Sequence, residues 1–282
     1  MRDFVILTDS CCDLPAALAD ELGVVVLPLT LTLGENSYKN YLDGREIGFK
    51  EFYDGIRGGT MPTTSAVSVG QFEEAMRPAL AEGRDVLCLN FSASLSATYQ
   101  SACIAAGDYE GKVFVVDSLS ATVGERLLLQ LGMKLAEEGL DAAAIAAKLD
   151  EVKEKVRIYA RLDTLEYLKK GGRISAATAV VGTMLNIKPI IAVQEGLVQS
   201  VGKARGPKQA DKLLRELIAK DGIDFSKPMC AAWSGLEDDN LKTFLSDSKE
   251  LLCSTEAPIA VVGSVIGAHV GPGAVAMAFF AN

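Results

Sequence analysis

Short apolar segments alternate with amphipathic segments through the first half of this 282-residue chain. Runs such as Phe4–Leu7, Asp85–Asn90 and Lys112–Val116 have the length and composition of buried strands. Between them lie longer segments with apolar residues at helical spacing, for example Ser120–Glu138. Strands that alternate with helices form βαβ units, so this half is predicted to build a largely parallel sheet.

The pattern changes after Asp141–Lys155, an Ala- and Lys-rich segment that we interpret as a connecting helix. The predicted strands Ile187–Val193 and Leu197–Val201 flank the pair Glu195-Gly196, which is typical of a hairpin turn. A hairpin adds antiparallel pairing to a chain that otherwise uses crossover connections. The second half is therefore predicted to contain a mixed sheet.

Together these patterns predict an α/β fold with two domains. Residues 1–157 are predicted to form an N-terminal domain with a largely parallel βαβ sheet, and residues 158–282 a C-terminal α/β domain with a mixed sheet. Val24–Leu33 is expected to be one β-branched strand. Gly263–Gly273 is expected to be a glycine-rich loop between two buried strands.

The charge balance of the chain disfavours two classes of partner. The net charge is −9, whereas a nucleic-acid-binding surface needs clustered cationic side chains. The same negative charge disfavours adsorption to an anionic membrane surface. The apolar segment 257–281 does not predict a transmembrane helix, because His269 and the sequence Gly271-Pro272-Gly273 interrupt it near its middle.

Cysteine usage and the N-terminal residues indicate a cytoplasmic protein. The six cysteines are scattered without the spacing of a metal site or a disulfide framework, which favours reduced thiols. The apolar run that begins at Phe4 is too short for the core of a signal peptide.

Hydroxyl side chains are concentrated in two segments, of which the first is Pro62–Ser65, directly before a predicted helix. A Ser or Thr in this position caps the helix by accepting from its first free N–H groups. One hydroxyl suffices for a cap, so the other side chains remain available for a ligand. Thr63 and Thr64 are therefore candidate binding residues, with simple capping as the alternative.

The second hydroxyl-rich segment follows the predicted strand Asp85–Asn90 and contains Ser92, Ser94 and Ser96. A turn from a strand into a helix presents backbone N–H groups and hydroxyls at the helix N-terminus, where anions are favoured. In open α/β sheets, such turns at the carboxyl ends of strands bind ligands. Ordinary capping by Ser96 is the alternative.

Charged and titratable candidates are few. His269 is the only histidine, and it lies among four glycines in the segment Gly263–Gly273, where the backbone can crowd against a ligand or against another loop. Arg173 and Arg205 belong to two basic segments, 168–175 and 202–208, which could meet an anionic group or form surface salt bridges. The sequence contains no P-loop, GxSxG elbow, HExxH motif or GxGxxG motif after a strand.

Taken in order, these motifs resemble those of the DegV family from end to end, and the combination is far more specific than any one motif. The chain departs from the family pattern at Ala93 and Ala97, where members usually have Ser and Gly. The matching motifs are Thr8-Asp9-Ser10, PTTS from Pro62, S-x-S-L-S-x-T-Y-Q-S-A from Ser92, Asp117-Ser118, Y-L-K-K-G-G-R-I-S from Tyr167, N-I-K-P-I from Asn186 and I-G-A-H-V-G-P-G-A from Ile266.

The resemblance implies a carrier that binds one long-chain fatty acid, such as palmitate, stearate or oleate, between its two domains, without a metal or cofactor. It also implies a partner, an ATP-dependent fatty acid kinase subunit that phosphorylates the bound carboxylate for phospholipid synthesis. Arg173 and Arg205 match family positions near the head group or partner. The residues expected around the carboxylate are Thr63, Thr64, Ser92, Ser94, Ser96 and His269.

Two other functions stay open at the level of the sequence. A Ser/His-dependent hydrolase or acyltransferase acting on a lipid-like substrate would use Ser92 or Ser94 as nucleophile and His269 as base. A phosphate or nucleotide binder would instead use the basic segments 168–175 and 202–208.

Overall fold

The computed structural model of the chain describes residues 3–174, 186–254 and 256–282, and within these ranges the strands form three sheets. Ser175, the last residue of the Y-L-K-K-G-G-R-I-S motif, lies outside the described residues. The strands are β1 (Phe4–Asp9), β2 (Val24–Leu27), β3 (Thr30–Leu33), β4 (Asn36–Lys39), β5 (Thr63–Ser65), β6 (Asp85–Asn90), β7 (Val113–Asp117), β8 (Val156–Arg161), β9 (Ile187–Gln194), β10 (Leu197–Arg205), β11 (Cys230–Trp233), β12 (Ile259–Val261) and β13 (Val275–Phe280). The α-helices are α1 (Ala16–Leu22), α2 (Phe49–Arg57), α3 (Val69–Ala81), α4 (Thr98–Ala106), α5 (Thr122–Glu137), α6 (Ala142–Val152), α7 (Glu166–Lys170), α8 (Pro207–Asp221), α9 (Asp239–Asp247) and α10 (Ser264–Val270).

The first half of the chain forms the parallel sheet that its alternating pattern predicts. Its strand order is β2-β1-β6-β7, and every pair in it is parallel. Ile6 of the inner strand β1 lies opposite Val24 on one side and Leu87 on the other. A parallel pair requires a crossover between its strands, and helices such as α3 and α4 supply the crossovers and cover the sheet.

The second half forms a six-stranded mixed sheet in the order β10-β9-β8-β13-β11-β12. The hairpin at Glu195-Gly196 is present, with Leu197 of β10 opposite Gln194 of β9, and β11 and β12 form a parallel pair. The predicted fold class, a parallel N-terminal sheet followed by a mixed C-terminal sheet, is confirmed. The boundary between residues 157 and 158 stays a prediction, and β8 begins at Val156.

A small third sheet, β4-β3-β5, is formed by the part of the chain between β2 and β6, the second and third strands of the parallel sheet in sequence. Together with α2 it packs against α10 from the opposite end of the sequence. Phe52 and Tyr53 of α2 are fully buried there, and the Tyr53 hydroxyl donates to the Val262 carbonyl oxygen at 3.0 Å. These contacts hold one face of α10 against α2, so the opposite face of α10 can line a site.

Two local predictions are wrong, and so is one alternative, the helix cap. Val24–Leu33 is not one strand, because Pro28 interrupts it and β2 and β3 belong to different sheets. Pro62–Ser65 does not cap a helix, since its last three residues form β5, and Ser68 caps α3 by accepting from the Gln71 N–H. Gly263–Gly273 is not a loop, because its middle forms α10, which ends at Gly271 with a φ of 69°.

Helix α5 lies between the two large sheets, in contact with β6 on one side and with β8, β11 and β13 on the other. Gly124 permits this approach, because a methyl group there would lie 2.6 Å from Ile158 Cδ1. One apolar cluster consequently runs through residues of both sheets. Among the described residues no helix combines the length and the apolar composition needed to cross a bilayer.

Candidate functional site

A cavity of about 250 Å³ lies between the mixed sheet and the loops that follow β2, β6 and β7 of the parallel sheet, next to the N-terminal end of α5 and along α10. That volume is more than ten times the about 10–15 Å³ that one water molecule requires. The walls are mostly apolar and come from both halves of the chain. Leu29, Phe91, Leu95 and Ala121 line it from the first half, and Ile158, Ala160, Leu162, Leu168, Ile191, Val193, Val198, Val262, Val265, Ile266, Ala274 and Ala276 from the second.

One group of polar side chains lines part of this cavity: Thr64, Ser65, Ser96, Arg173 and His269. These residues are half-buried or, for Ser65, exposed, whereas apolar lining residues such as Ile158 and Ile191 are buried. The cavity therefore combines a closed apolar interior with a polar part that reaches solvent. Such a pocket suits an elongated molecule with one polar end.

His269 and Thr64 form the central contact of the polar group. Thr64 Oγ1 lies 2.9 Å from His269 Nε2, and the tautomer decides which of the two donates. The other ring nitrogen, Nδ1, is buried against Gly171 and has no hydrogen-bond partner among the described residues. Burial, with a smaller effect from the nearby charge of Arg173, lowers the pKa of His269 to about 4, so the imidazole is neutral at pH 7.

Arg173 supplies the positive charge beside this neutral imidazole. Its guanidinium donates from Nε to the Leu95 carbonyl oxygen at 3.0 Å and from Nη1 to the Gly171 carbonyl oxygen at 2.6 Å. The bond to Leu95 ties the segment after α7 to the loop before α4, and the local bond to Gly171 holds the guanidinium from the other side.

Ser96 joins the polar group through hydroxyl contacts. Its Oγ lies 2.9 Å from Thr98 Oγ1 and accepts from the Thr98 N–H at 3.2 Å. Thr98 Oγ1 in turn accepts from the Val67 N–H at 3.3 Å. Ala97, at the family's glycine position, also lines the cavity, so its methyl group lies close to this polar part.

The structure places four other predicted residues away from the cavity lining. Thr63 is exposed, because neighbouring residues of a strand point to opposite faces and Thr64 takes the inner one. Ser92 is fully buried, and its hydroxyl donates to the Gly196 carbonyl oxygen at 2.7 Å, which holds the β9–β10 turn against the first half. Ser94 is exposed beside that turn, and Arg205 is exposed at the end of β10.

Sequence reasoning missed a buried pair, Asp13 and Thr122, of which Thr122 lines the cavity. Thr122 Oγ1 donates to Asp13 Oδ2 at 2.6 Å, and Asp13 Oδ1 accepts from the Gly263 N–H at 2.9 Å. Burial raises the pKa of Asp13 to about 7, although both hydrogen bonds act in the opposite direction. Thr122 has a φ of 45°, a strained conformation for a β-branched residue that often marks a functional site.

The arrangement supplies hydrogen-bond donors and one fixed cation, which together suit a carboxylate or a similar anion. Among the described residues, neither predicted nucleophile pairs with His269. The hydroxyl at its ring is that of Thr64, Ser92 is bonded to Gly196, and Ser94 is exposed beside the β9–β10 turn. Hydrolytic mechanisms also need a group that orients the base, and Nδ1 of His269 faces a glycine instead. In the described part of the chain, no cluster of His, Cys, Asp or Glu residues could hold a metal ion.

The lowered pKa of His269 predicts a specific loss of stability in acid. The unfolded chain takes up a proton near the ordinary pKa of 6.5, whereas the folded chain does so only near 4, so protons favour unfolding across that window. Between about pH 7 and about pH 4.5, the free energy of unfolding should fall by about 2–3 kcal/mol more in the wild type than in His269→Gln. Denaturant titrations at both pH values measure this difference, and equal losses in the two proteins would contradict the assigned burial.

Comparisons with known proteins agree on one family. The family model described as "Uncharacterised protein, DegV family" matches residues 3–282. A DegV domain-containing protein of Caldanaerobacter subterraneus is 32% identical over 99% of both chains. A fatty-acid-binding DegV family protein from Thermus thermophilus has a TM-score of 0.88 and 34% identity, covering 100% of both chains. A stearic-acid-binding protein from Eubacterium ventriosum has a TM-score of 0.83 and 25% identity, covering 99% of this chain and 98% of its own. The chain belongs to the DegV family.

Proposed function

We propose that this protein is a carrier that binds one long-chain fatty acid, such as palmitate, stearate or oleate, in the cavity between its sheets. The observation that carries the proposal is the division of the cavity into a closed apolar interior and a partly exposed polar part. An acyl chain would occupy the interior, and its carboxylate would lie at the polar part. The fatty-acid-binding relatives from Thermus thermophilus and Eubacterium ventriosum support the same ligand class.

The apolar interior accounts for affinity. Each methylene that leaves water contributes about 0.8 kcal/mol, so a saturated acyl chain of sixteen to eighteen carbons gains about 11–13 kcal/mol before the cost of ordering it. The walls around it are buried strand residues such as Ile158, Ile191 and Val193, which the sheet holds in place. Little reorganisation is then needed on binding.

The polar part accounts for the orientation of the ligand. An ionised carboxylate is costly to remove from water unless several donors replace its hydration. Thr64, Ser96 and His269 provide neutral donors, and Arg173 provides the opposite charge. In this proposal Ser92 has a structural role, because its hydroxyl is bonded to Gly196.

We expect the purified protein to carry a fatty acid of sixteen to eighteen carbons. Mass spectrometry of an organic-solvent extract measures the ligand, and a titration of delipidated protein with palmitate or oleate measures binding. A protein that is empty and also fails to bind either acid would contradict the proposal. Turnover of an activated acyl ester that is lost in His269→Ala would favour the hydrolase instead.

The neighbouring residues Thr64 and Thr63 form a matched test of the carboxylate site. Thr64→Val keeps the shape of the side chain but removes the hydroxyl beside His269, so palmitate affinity should fall by about tenfold or more. Thr63→Val makes the same change on the exposed face of the same strand and should leave affinity unchanged. Isothermal titration of both variants measures the difference, and equal affinities would exclude Thr64 from the site.

We further propose that a separate ATP-dependent kinase subunit phosphorylates the bound carboxylate and that the acyl phosphate feeds phospholipid synthesis. Ser65 and Ala97 line the polar part of the cavity and are exposed, which supports access for such a partner. Exposed basic residues lie at one end of the mixed sheet. Lys203 of β10 lies opposite Pro189 of β9. The Pro189 carbonyl oxygen accepts from the Leu162 N–H, and Leu162 begins the segment that leads through α7 to Arg173. In a chain of net charge −9, these cations could guide docking.

Charge reversal tests this docking surface. Lys203→Glu combined with Lys208→Glu should slow phosphorylation of the bound acid by about tenfold and increase its sensitivity to salt, because both side chains are exposed. Fatty-acid affinity should not change, since neither residue lines the cavity. Combined reversal of two other exposed lysines, Lys112 before β7 and Lys148 in α6, changes the net charge equally and serves as the control. Equal losses in binding and phosphorylation would indicate a structural role for Lys203 and Lys208.

A further inference from the structure

Helices α7 and α10 pack together through two reciprocal contacts, each between an aromatic ring and a glycine. Gly171 directly follows α7, and the His269 ring of α10 lies against it. Gly271 directly follows α10, and the Tyr167 ring of α7 lies against it. A methyl group on Gly171 would lie 2.2 Å from His269 Nδ1. A methyl group on Gly271 would lie 2.3 Å from Tyr167 Cδ2.

The backbone does not require glycine at position 171. Its φ of −73° and ψ of −7° are ordinary values for any residue, in contrast with the φ of 69° at Gly271. Alanine is also the better residue near a helix end in terms of chain entropy. The feature that does require glycine at 171 is the imidazole. The nearest atom outside the imidazole, the Tyr167 carbonyl oxygen, would lie 3.1 Å from an added methyl group, a contact that a shift of a few tenths of an ångström relieves.

Gly171 is also hydrogen-bonded to the cation of the site, Arg173. Its N–H donates to the Tyr167 carbonyl oxygen at 2.8 Å, and its carbonyl oxygen accepts from Arg173 Nη1 at 2.6 Å. The same residue therefore contacts His269 through its Cα and Arg173 through its oxygen. A displacement at this point would move the imidazole away from Thr64 and disturb the guanidinium together.

We propose that Gly171 is a positioning residue, whose missing side chain sets the place of the His269 imidazole against Thr64 and, through its carbonyl oxygen, the place of Arg173. The consequence for a ligand rests on the proposed fatty-acid function. The position of the ring does not, because it follows from contacts within the chain. The two parts can be tested separately.

The single histidine makes the first test unambiguous. After removal of any affinity tag, the only imidazole resonances in an NMR spectrum of the ligand-free protein belong to His269. In Gly171→Ala the ring should move toward solvent, and its pKa should rise from about 4 toward 6.5 by about one unit or more. Gly70→Ala is the matched control, because Gly70 lies in α3 with no atom within 4 Å of an added methyl group. An unchanged His269 titration in Gly171→Ala would overturn the proposal.

A double variant separates positioning from a general structural role. In a His269→Ala background the methyl group of Gly171→Ala has no ring to displace, so the midpoint of urea unfolding should be nearly the same with Gly or Ala at 171. With His269 present, the same substitution should lower that midpoint. If Gly171→Ala fails to fold alone but folds with His269→Ala, the proposal is supported. If both proteins fail to fold, Gly171 serves the fold as a whole and the proposal is overturned.

Palmitate titration tests the link to the ligand. Where the wild type binds palmitate, Gly171→Ala should weaken binding by about tenfold, comparable to the loss of one hydrogen bond to a charged group. Gly70→Ala should bind like the wild type. A wild type that does not bind palmitate contradicts the proposed function, while the NMR titration still decides the role of Gly171. If the His269 ring has moved in Gly171→Ala but palmitate affinity equals that of the wild type, Gly171 has no role in ligand binding.

Discussion

The buried carboxyl group of Asp13 joins three segments that are far apart in the sequence. It accepts from the Thr122 hydroxyl at the start of α5 and from the Gly263 N–H directly before α10. These helices carry two walls of the cavity, so the carboxyl group sets the distance between them. Burial of such a group is costly unless its oxygens are hydrogen-bonded, and both oxygens are bonded here. The two hydrogen bonds do not fully offset the cost of burying the charge, and the pKa of Asp13 is therefore raised to about 7.

The cavity persists because its walls cannot collapse into it. Many of the apolar residues that line it belong to strands of the mixed sheet or to α10. Helix α10 packs closely on α2 at Gly267, where an added methyl group would lie only 2.8 Å from Tyr53 Oη. Small side chains such as Ala160, Ala274 and Ala276 leave the space between the sheets open. Elsewhere the same sheets pack closely, as at Gly124 of α5, so the open space is confined to one place.

Electrostatics at the polar part depends on the neutrality of His269. A charged imidazole beside Arg173 would place two cations together in a partly buried site, and burial disfavours this. The neutral ring leaves one fixed cation, Arg173, among neutral hydroxyl groups. That combination stabilises an anion through hydrogen bonds without requiring a second buried charge.

The α/β fold class, the parallel and mixed sheets and the β9–β10 hairpin follow from local pattern, because strand, helix and turn signals depend on residues that are near each other in the sequence. The errors lie in segments whose secondary structure is determined by a tertiary contact. The PTTS segment pairs with β3 as a strand instead of capping α3, and the glycine-rich segment becomes α10 because Gly267 allows it to pack against Phe52 and Tyr53. The residues of β5 do not indicate that they will pair with β3, and the residues of α10 do not indicate that they will pack on α2.

The sequence by itself determined which residues could serve an anion: two hydroxyl-rich segments, His269, and the candidate cations Arg173 and Arg205. Only the tertiary structure decided which of them meet. Thr64 lies at His269 while Thr63 faces solvent, and Ser96 lines the cavity while Ser92 holds the turn at Gly196. The physical reason is that the register of β5 and the packing of α10 determine which side chain faces the cavity. Register and packing in turn depend on contacts between residues about two hundred positions apart, such as Thr64 and His269.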